Sequence, residues 1–171
     1  LTSDTLRYNT ATKIANIVGP SDIDSQENHI YSELGFYDTQ AGQAQLLNRS
    51  VLTNEGKLMT GDSLFYDRNR GFGEAFQNVE FVDTINKNML EGNYCYYNQL
   101  TSYAFATDEA VATDFSQGDS LFIHADTLQM FTFHLNTDSV YREARAYHKV
   151  RVYRTDVQAV CDSLVFSSKD S

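Results

Sequence analysis

Four aspartates, Asp4, Asp62, Asp119 and Asp162, occupy one place of a recurring motif. A row of carboxylates at set intervals could form a catalytic series or a calcium stripe. Calcium needs several oxygens converging on one point, and the Gly-Gly-x-Gly-x-Asp calcium repeat is absent. Recurrence at one unit position favours a turn role, because Asp and Ser accept hydrogen bonds from nearby backbone N–H groups. The histidines His29, His124, His134 and His148 show no i, i+4 ligand pair on a helix and no Cys/His zinc spacing. His124, two residues from Asp126, reads as an outward strand pair. Cys95 and Cys161 are too few for a disulfide framework or a four-ligand zinc site, and read as buried or half-buried free thiols. There is no Gly-x-Ser-x-Gly elbow and no glycine-rich phosphate loop. Asp108 and Glu109, adjacent on a strand, point to opposite faces and make no glycosidase pair. No catalytic residue, metal ligand or cofactor is expected, and the chain reads as a non-enzyme.

The cations are concentrated in one place. Tyr141 to Arg154 carries Arg142, Arg145, Lys149, Arg151 and Arg154 against one acid, Glu143, in a chain of net charge −10. The acid excess elsewhere argues against nucleic acid as a partner. The basic segment has two readings. One is a solvated strand face whose charges discourage edge pairing. The other is contact with phosphate groups, which suits the donor fork of Arg. Lys149 and Arg151 alternate with Val150 and Val152, which places these two cations on the face opposite the valines.

These residues must be positioned by a repeat. Gly61-Asp62-Ser63-Leu64-Phe65-Tyr66-Asp67 has relatives at 3–9, 32–38, 92–98, 118–124 and 161–167. Its sixth place, the anchor, falls at Tyr8, Tyr37, Tyr66, Tyr97, Ile123 and Phe166. The intervals are 29, 29, 31, 26 and 43 residues, so an insertion is expected between Ile123 and Phe166. A period in this range signals stacked units, each too thin to bury its own apolar face. Hydrophobic content is 42%, with 11 Tyr, 11 Phe and a single Pro, a balance that favours strands.

Each unit reads as two strands. After the anchor strand and a polar turn such as 67–71 comes a second motif. It appears as Ala75-Phe76-Gln77-Asn78-Val79-Glu80-Phe81, as 106–112 and as 146–152. Its second core position follows the anchor by 14, 13 and 13 residues, at Val51, Val79 and Ala110. No apolar run is long enough to span a membrane as a helix. Residues 1–171 read as one domain. The start at Leu1, with no signal peptide, and the end soon after a repeat anchor suggest a fragment of a longer protein.

The Gly-Asp-Ser-Leu-Phe-Tyr-Asp anchor and the Ala-x-x-x-Val-x-Phe strand resemble the OstA/LptA-type periplasmic lipopolysaccharide-transport family. The segments 123–128, 145–151 and 156–164 are similar to the Bacteroidetes-type OstA-like version. The resemblance covers essentially the whole chain. It implies an all-β fold, a repetitive antiparallel β-jellyroll shaped as a V-like, taco-like open roll. It also implies lipid A acyl chains of lipopolysaccharide lying in an apolar groove. The lining carried over from the two motifs is Leu64, Tyr66, Ala75, Val79, Phe81, Tyr97, Leu121, Ile123, Val150 and Val152. Partners implied are lipopolysaccharide and other Lpt-type jellyroll modules, a second copy among them, stacked edge strand to edge strand. The implied location is the periplasm, with association to the outer membrane.

Two functions from different classes follow. The first is non-enzymatic binding and transport of lipopolysaccharide across the periplasm to the outer membrane. The alternative is a structural or carbohydrate-binding β-solenoid of the cell surface, with a filled core and exposed Tyr residues. An open apolar furrow favours the first and a closed, packed interior the second. A polysaccharide hydrolase would need a convergent carboxylate pair.

Overall fold

Alternation of apolar and polar residues, with short Asn/Asp/Gly turns between, produces a fold built from strands. In the computed structural model the described residues are 2–3, 5–24, 28–167 and 169. Asp4 and most of the terminal segment 167–171 lie outside them. The described residues form fourteen strands in one antiparallel sheet. They are β1 (Thr2–Ser3), β2 (Leu6–Asn9), β3 (Ile14–Asp24), β4 (Asn28–Asp38), β5 (Gln43–Leu47), β6 (Val51–Asn54) and β7 (Lys57–Thr60). There follow β8 (Ser63–Asp67), β9 (Phe72–Asp83), β10 (Asn88–Asn98), β11 (Tyr103–Asp114), β12 (Leu121–Phe133), β13 (Tyr141–Arg154) and β14 (Val157–Ser167). Each strand pairs mainly with its neighbours in sequence, from β3 through to β14.

The sheet is creased along its length. Midway along the second motif two successive residues adopt positive φ. They are Asn48 and Arg49 (59° and 55°), Gln77 and Asn78 (59° and 50°), Asp108 and Glu109 (both 63°), and His148 and Lys149 (63° and 53°). Left-handed backbone is sparsely used outside Gly, with Asn and Asp among the tolerant residues. Here it turns eight polar side chains out to solvent. The residues either side, Leu46 and Ser50, Ala75 and Val79, Ala106 and Ala110, Ala146 and Val150, all stay buried. The ladder slips at the same places. Each long strand therefore runs through one half of a V, crosses the crease and continues in the other half. Asp108 and Glu109 do not point to opposite faces as a regular strand requires; both lie exposed at the crease. The buried second core position of the first central unit is Ser50, not Val51, so the interval from the anchor is 13 residues throughout.

The register also revises the anchors. Partner by partner, one inward row reads Tyr8, Ala15, Tyr37, Ala44, Tyr66, Gly73, Tyr97, Ala104, Met130, Ala144 and Phe166. A large residue alternates with a small one, so neighbouring strands interdigitate. Met130, not Ile123, holds the fifth anchor place; Ile123 lies in the other half, opposite Ala112 and Val152. The intervals become 29, 29, 31, 33 and 36 residues. No insertion interrupts the stack. Longer strands and a longer turn account for the stretch.

The turn role expected of the Asp62 position belongs to the residue after the anchor. Asn9, Asp38 and Asn98 each accept two backbone N–H bonds from their turn through Oδ1. Asp67, 2% exposed, accepts Arg70 N–H at 2.9 Å and Gln43 Nε2–H at 2.9 Å. Gly71 closes the same turn at φ 64°. Asp62 instead accepts Asn78 Nδ2 at 2.8 Å beside the crease. The Gln43 bond, then the Arg70 amide, hold the Asp67 carboxyl below the ordinary carboxylate range. Its stabilisation is present above that range and disappears as pH falls through the lowered value. Asp67→Asn is expected to lower the melting temperature at neutral pH, with the difference shrinking toward zero in acid. Thermal melts of both proteins across pH check this.

The halves differ on their outer faces. That of the anchor half carries rings packed on one another from strand to strand. Phe65 meets Phe72 at 5.9 Å, Phe72 meets Tyr96 at 5.6 Å, and Tyr96 meets Phe105 at 5.6 Å. Tyr103, Phe131, Phe133 and Tyr141 continue the series. Most aromatic residues thus form cross-strand ladders outside the V. Cys95 and Cys161 are both free thiols. They sit four strands apart, roughly 19 Å at about 4.8 Å per strand, beyond disulfide reach. Burial pushes the Cys95 thiol up to about 12.

Candidate functional site

Because the strands run across the long axis, the inward rows of the two halves face each other as two walls. How close the walls lie is decided by side-chain size at each level. In the middle of the roll they meet. Phe81 of one half packs against Tyr97 of the other, the rings tilted by 31° with centres 5.3 Å apart. Lys57 Nζ donates to Tyr97 Oη at 3.3 Å and lies 5.5 Å from the ring centre. Together with Tyr66, Met59 and Leu52 these residues leave a void of only about 30 Å³.

Toward the C terminus the walls part. Met130 replaces the tyrosine of the anchor row, and Ala112, Ala144, Ala146 and Ala159 supply short side chains. A cavity of about 580 Å³ opens between β10 and β14. Leu128, Met130, Leu164 and Phe166 line one wall, and Leu90, Leu121, Ile123 and Val152 the other. A volume of this size suits one small-molecule ligand.

The lips of this cavity each carry an arginine beside acidic residues. Strand β13 presents to the interior Arg142, Ala144 and Ala146 before the crease, then Val150, Val152 and Arg154 after it, following the period-2 alternation. An arginine thus ends the row at each lip. Arg142 Nη1 donates to Asn86 Oδ1 at 3.0 Å, a bond that crosses the open side of the V from one half to the other. Arg154 is held by Asp156, with Nε–H and Nη2–H bonds of 2.6 and 3.1 Å. Arg145 lies on the outer face, over the Phe131 ring at 4.6 Å and paired with Glu143. Asp126 pairs with Lys149 at 3.3 Å. Of the acids at the mouth, Asp114 accepts Ser116 N–H at 2.8 Å and Glu143 is taken by Arg145. Among the described residues no three His, Cys, Asp or Glu side chains converge to hold a metal ion.

Of the ten lining residues expected from the motifs, Leu121, Ile123 and Val152 line the large cavity. Tyr66, Phe81 and Tyr97 fill the packed middle. Leu64 and Ala75 are buried in the anchor half, and Val79 and Val150 are buried at the crease. The motifs missed Leu128, Met130 and the two lip arginines. The period-2 alternation of 141–154 that puts Lys149 and Arg151 outside also puts Arg142 and Arg154 on the face of the valines.

The fold is similar to that of a solved structure. It is that of LptH, the LptA-homologous periplasmic component of the lipopolysaccharide transport device from Pseudomonas aeruginosa. The TM-score is 0.52 over 64% of this chain and 74% of that chain, at 14% identity. The chain has the β-jellyroll fold of LptH. At that identity the likeness is one of architecture. No protein-family profile matches the chain, and no characterised protein matches it in sequence. Within this jellyroll, the interior is packed in its middle and open toward β14.

Proposed function

We propose that this chain is a non-enzymatic lipopolysaccharide-binding module of the periplasm, which takes up lipid acyl chains in its C-terminal cavity during transport to the outer membrane. The observation that carries the reading is the 580 Å³ apolar cavity with an arginine on each lip. Burying a methylene is worth about 0.8 kcal/mol, so acyl chains are drawn in. A phosphate-bearing headgroup at the surface meets the only strongly basic segment of an acidic chain. The jellyroll of LptH, a protein of the same kind of transport device, supports the reading at the level of fold. Among the described residues, β14 pairs with β13 alone, which supports docking to a second jellyroll by strand addition.

The test is a charge on the cavity wall. Ile123 is partly exposed within the cavity, so Asp is tolerated there by the fold. Ile123→Asp is expected to keep its circular-dichroism spectrum and to lose lipopolysaccharide binding at least tenfold, about 1.4 kcal/mol. Displacement of a fluorescent lipid A analogue reads this out. A folded variant that binds normally would place the acyl chains elsewhere.

A further inference from the structure

We infer that Tyr97, packed against Phe81 and held by Lys57, is a stop that limits how far an acyl chain runs into the roll. This rests on the acyl-binding reading above and adds to it a limit on tail length. The cavity is lined from β10 to β14 and ends at Leu90, which is 1% exposed. Facing Leu90 from the opposite wall of the same strand is Tyr97, and its ring packs against Phe81 of β9, one strand further in. The void remaining there, about 30 Å³, is too small for a chain to pass.

The block is made by side chains. Gly73 and Ala104 flank Tyr97 in the same row and fill almost nothing. The next anchor, Met130, stands where the interior is already open. Tyrosine against methionine at equivalent places thus separates the closed part of the roll from the open part. Lys57 holds the phenol from the far lip, so the ring is fixed at both its face and its hydroxyl.

The depth follows from the strand count. Five strands give four spacings of about 4.8 Å, roughly 19 Å. An extended alkyl chain advances about 1.25 Å per carbon for bonds of about 1.52 Å, so the cavity accommodates about 15 carbons. The chain lies with its methyl end toward Tyr97. Its head remains near Arg142 and Arg154.

Saturated fatty acids from octanoic to stearic, titrated into the purified chain by calorimetry, test the stop. Affinity is expected to rise about fourfold per carbon and to level off near the length set by the cavity. Tyr97→Ala should move the break to longer acids, and Met130→Tyr should move it to shorter ones. The position of the break is read, so a general loss of stability does not imitate the result. If Tyr97→Ala fails to fold, Met130→Tyr tests the same row from the other side. A rise that continues through stearic acid, or a break unmoved in the folded variants, overturns the stop alone. No binding at any length overturns the acyl-binding reading with it.

Discussion

Val150→Asp is expected to unfold the chain at neutral pH. Val150 is fully buried at the crease, where the two halves of β13 meet. A carboxylate placed there has no counter-ion among the surrounding Ala125 and Cys161 partners of the row. Full burial raises a carboxyl by up to 3–5 pH units, and at neutral pH this costs about 4 kcal/mol, the limit set by the gap between an ordinary value of about 3.9 and pH 7, to which the lost packing of the valine adds. A typical domain has about 5–15 kcal/mol in all. Because the folded-state value is raised, the penalty shrinks as pH falls and the side chain becomes neutral. Melts at neutral pH should show no cooperative transition, and melts in mild acid should recover part of one. Val79→Asp should behave alike, since Val79 holds the same place at the crease. The contrast with Ile123→Asp is the useful part. Identical chemistry on two inward residues of the second half should abolish folding in one case and only ligand binding in the other.

The second large effect concerns β14. Its eleven residues pair with β13 on one side only, and Val160, Val165 and Phe166 are 81%, 59% and 59% exposed. A long edge with exposed apolar residues is a template for another strand. Its complement at the opposite end is the short edge formed by β1 and β2 on β3. These two edges differ, so their pairing is head to tail and does not close on itself. The 171-residue chain is expected to form oligomers whose size grows with concentration, seen as a rising sedimentation coefficient. The double variant Val160→Lys, Val165→Lys should stay monomeric over the same range, because desolvating two lysines at the edge opposes pairing. A wild-type chain that remains monomeric at high micromolar concentration would show that the edge does not self-associate.

Much of the architecture was legible because a strand's two-residue period and a repeat of about thirty residues are local properties. The Leu64/Tyr66 alternation and the Ala75…Val79 spacing were enough to place a stacked, antiparallel roll. The anchors were right wherever the motif kept its tyrosine, at residues 8, 37, 66 and 97. The fifth was misplaced because Ile123 copies the motif's lettering while Met130 occupies its row, and only cross-strand register separates lettering from row. The creases were hidden for a related reason. Gln77-Asn78 and His148-Lys149 look like ordinary outward residues until their backbone is seen to turn left-handed, which swings the strand from one wall to the other.

Residue pattern alone therefore established strands, period, inward faces and the acidic chain with its one basic segment. The tertiary structure decided where the interior is full and where it is open. That outcome depends on the sum of side chains meeting from strands far apart in sequence, as Phe81 meets Tyr97 and Ala112 faces Met130's wall. Volume across a gap is a property of pairs, and no single stretch of chain carries it.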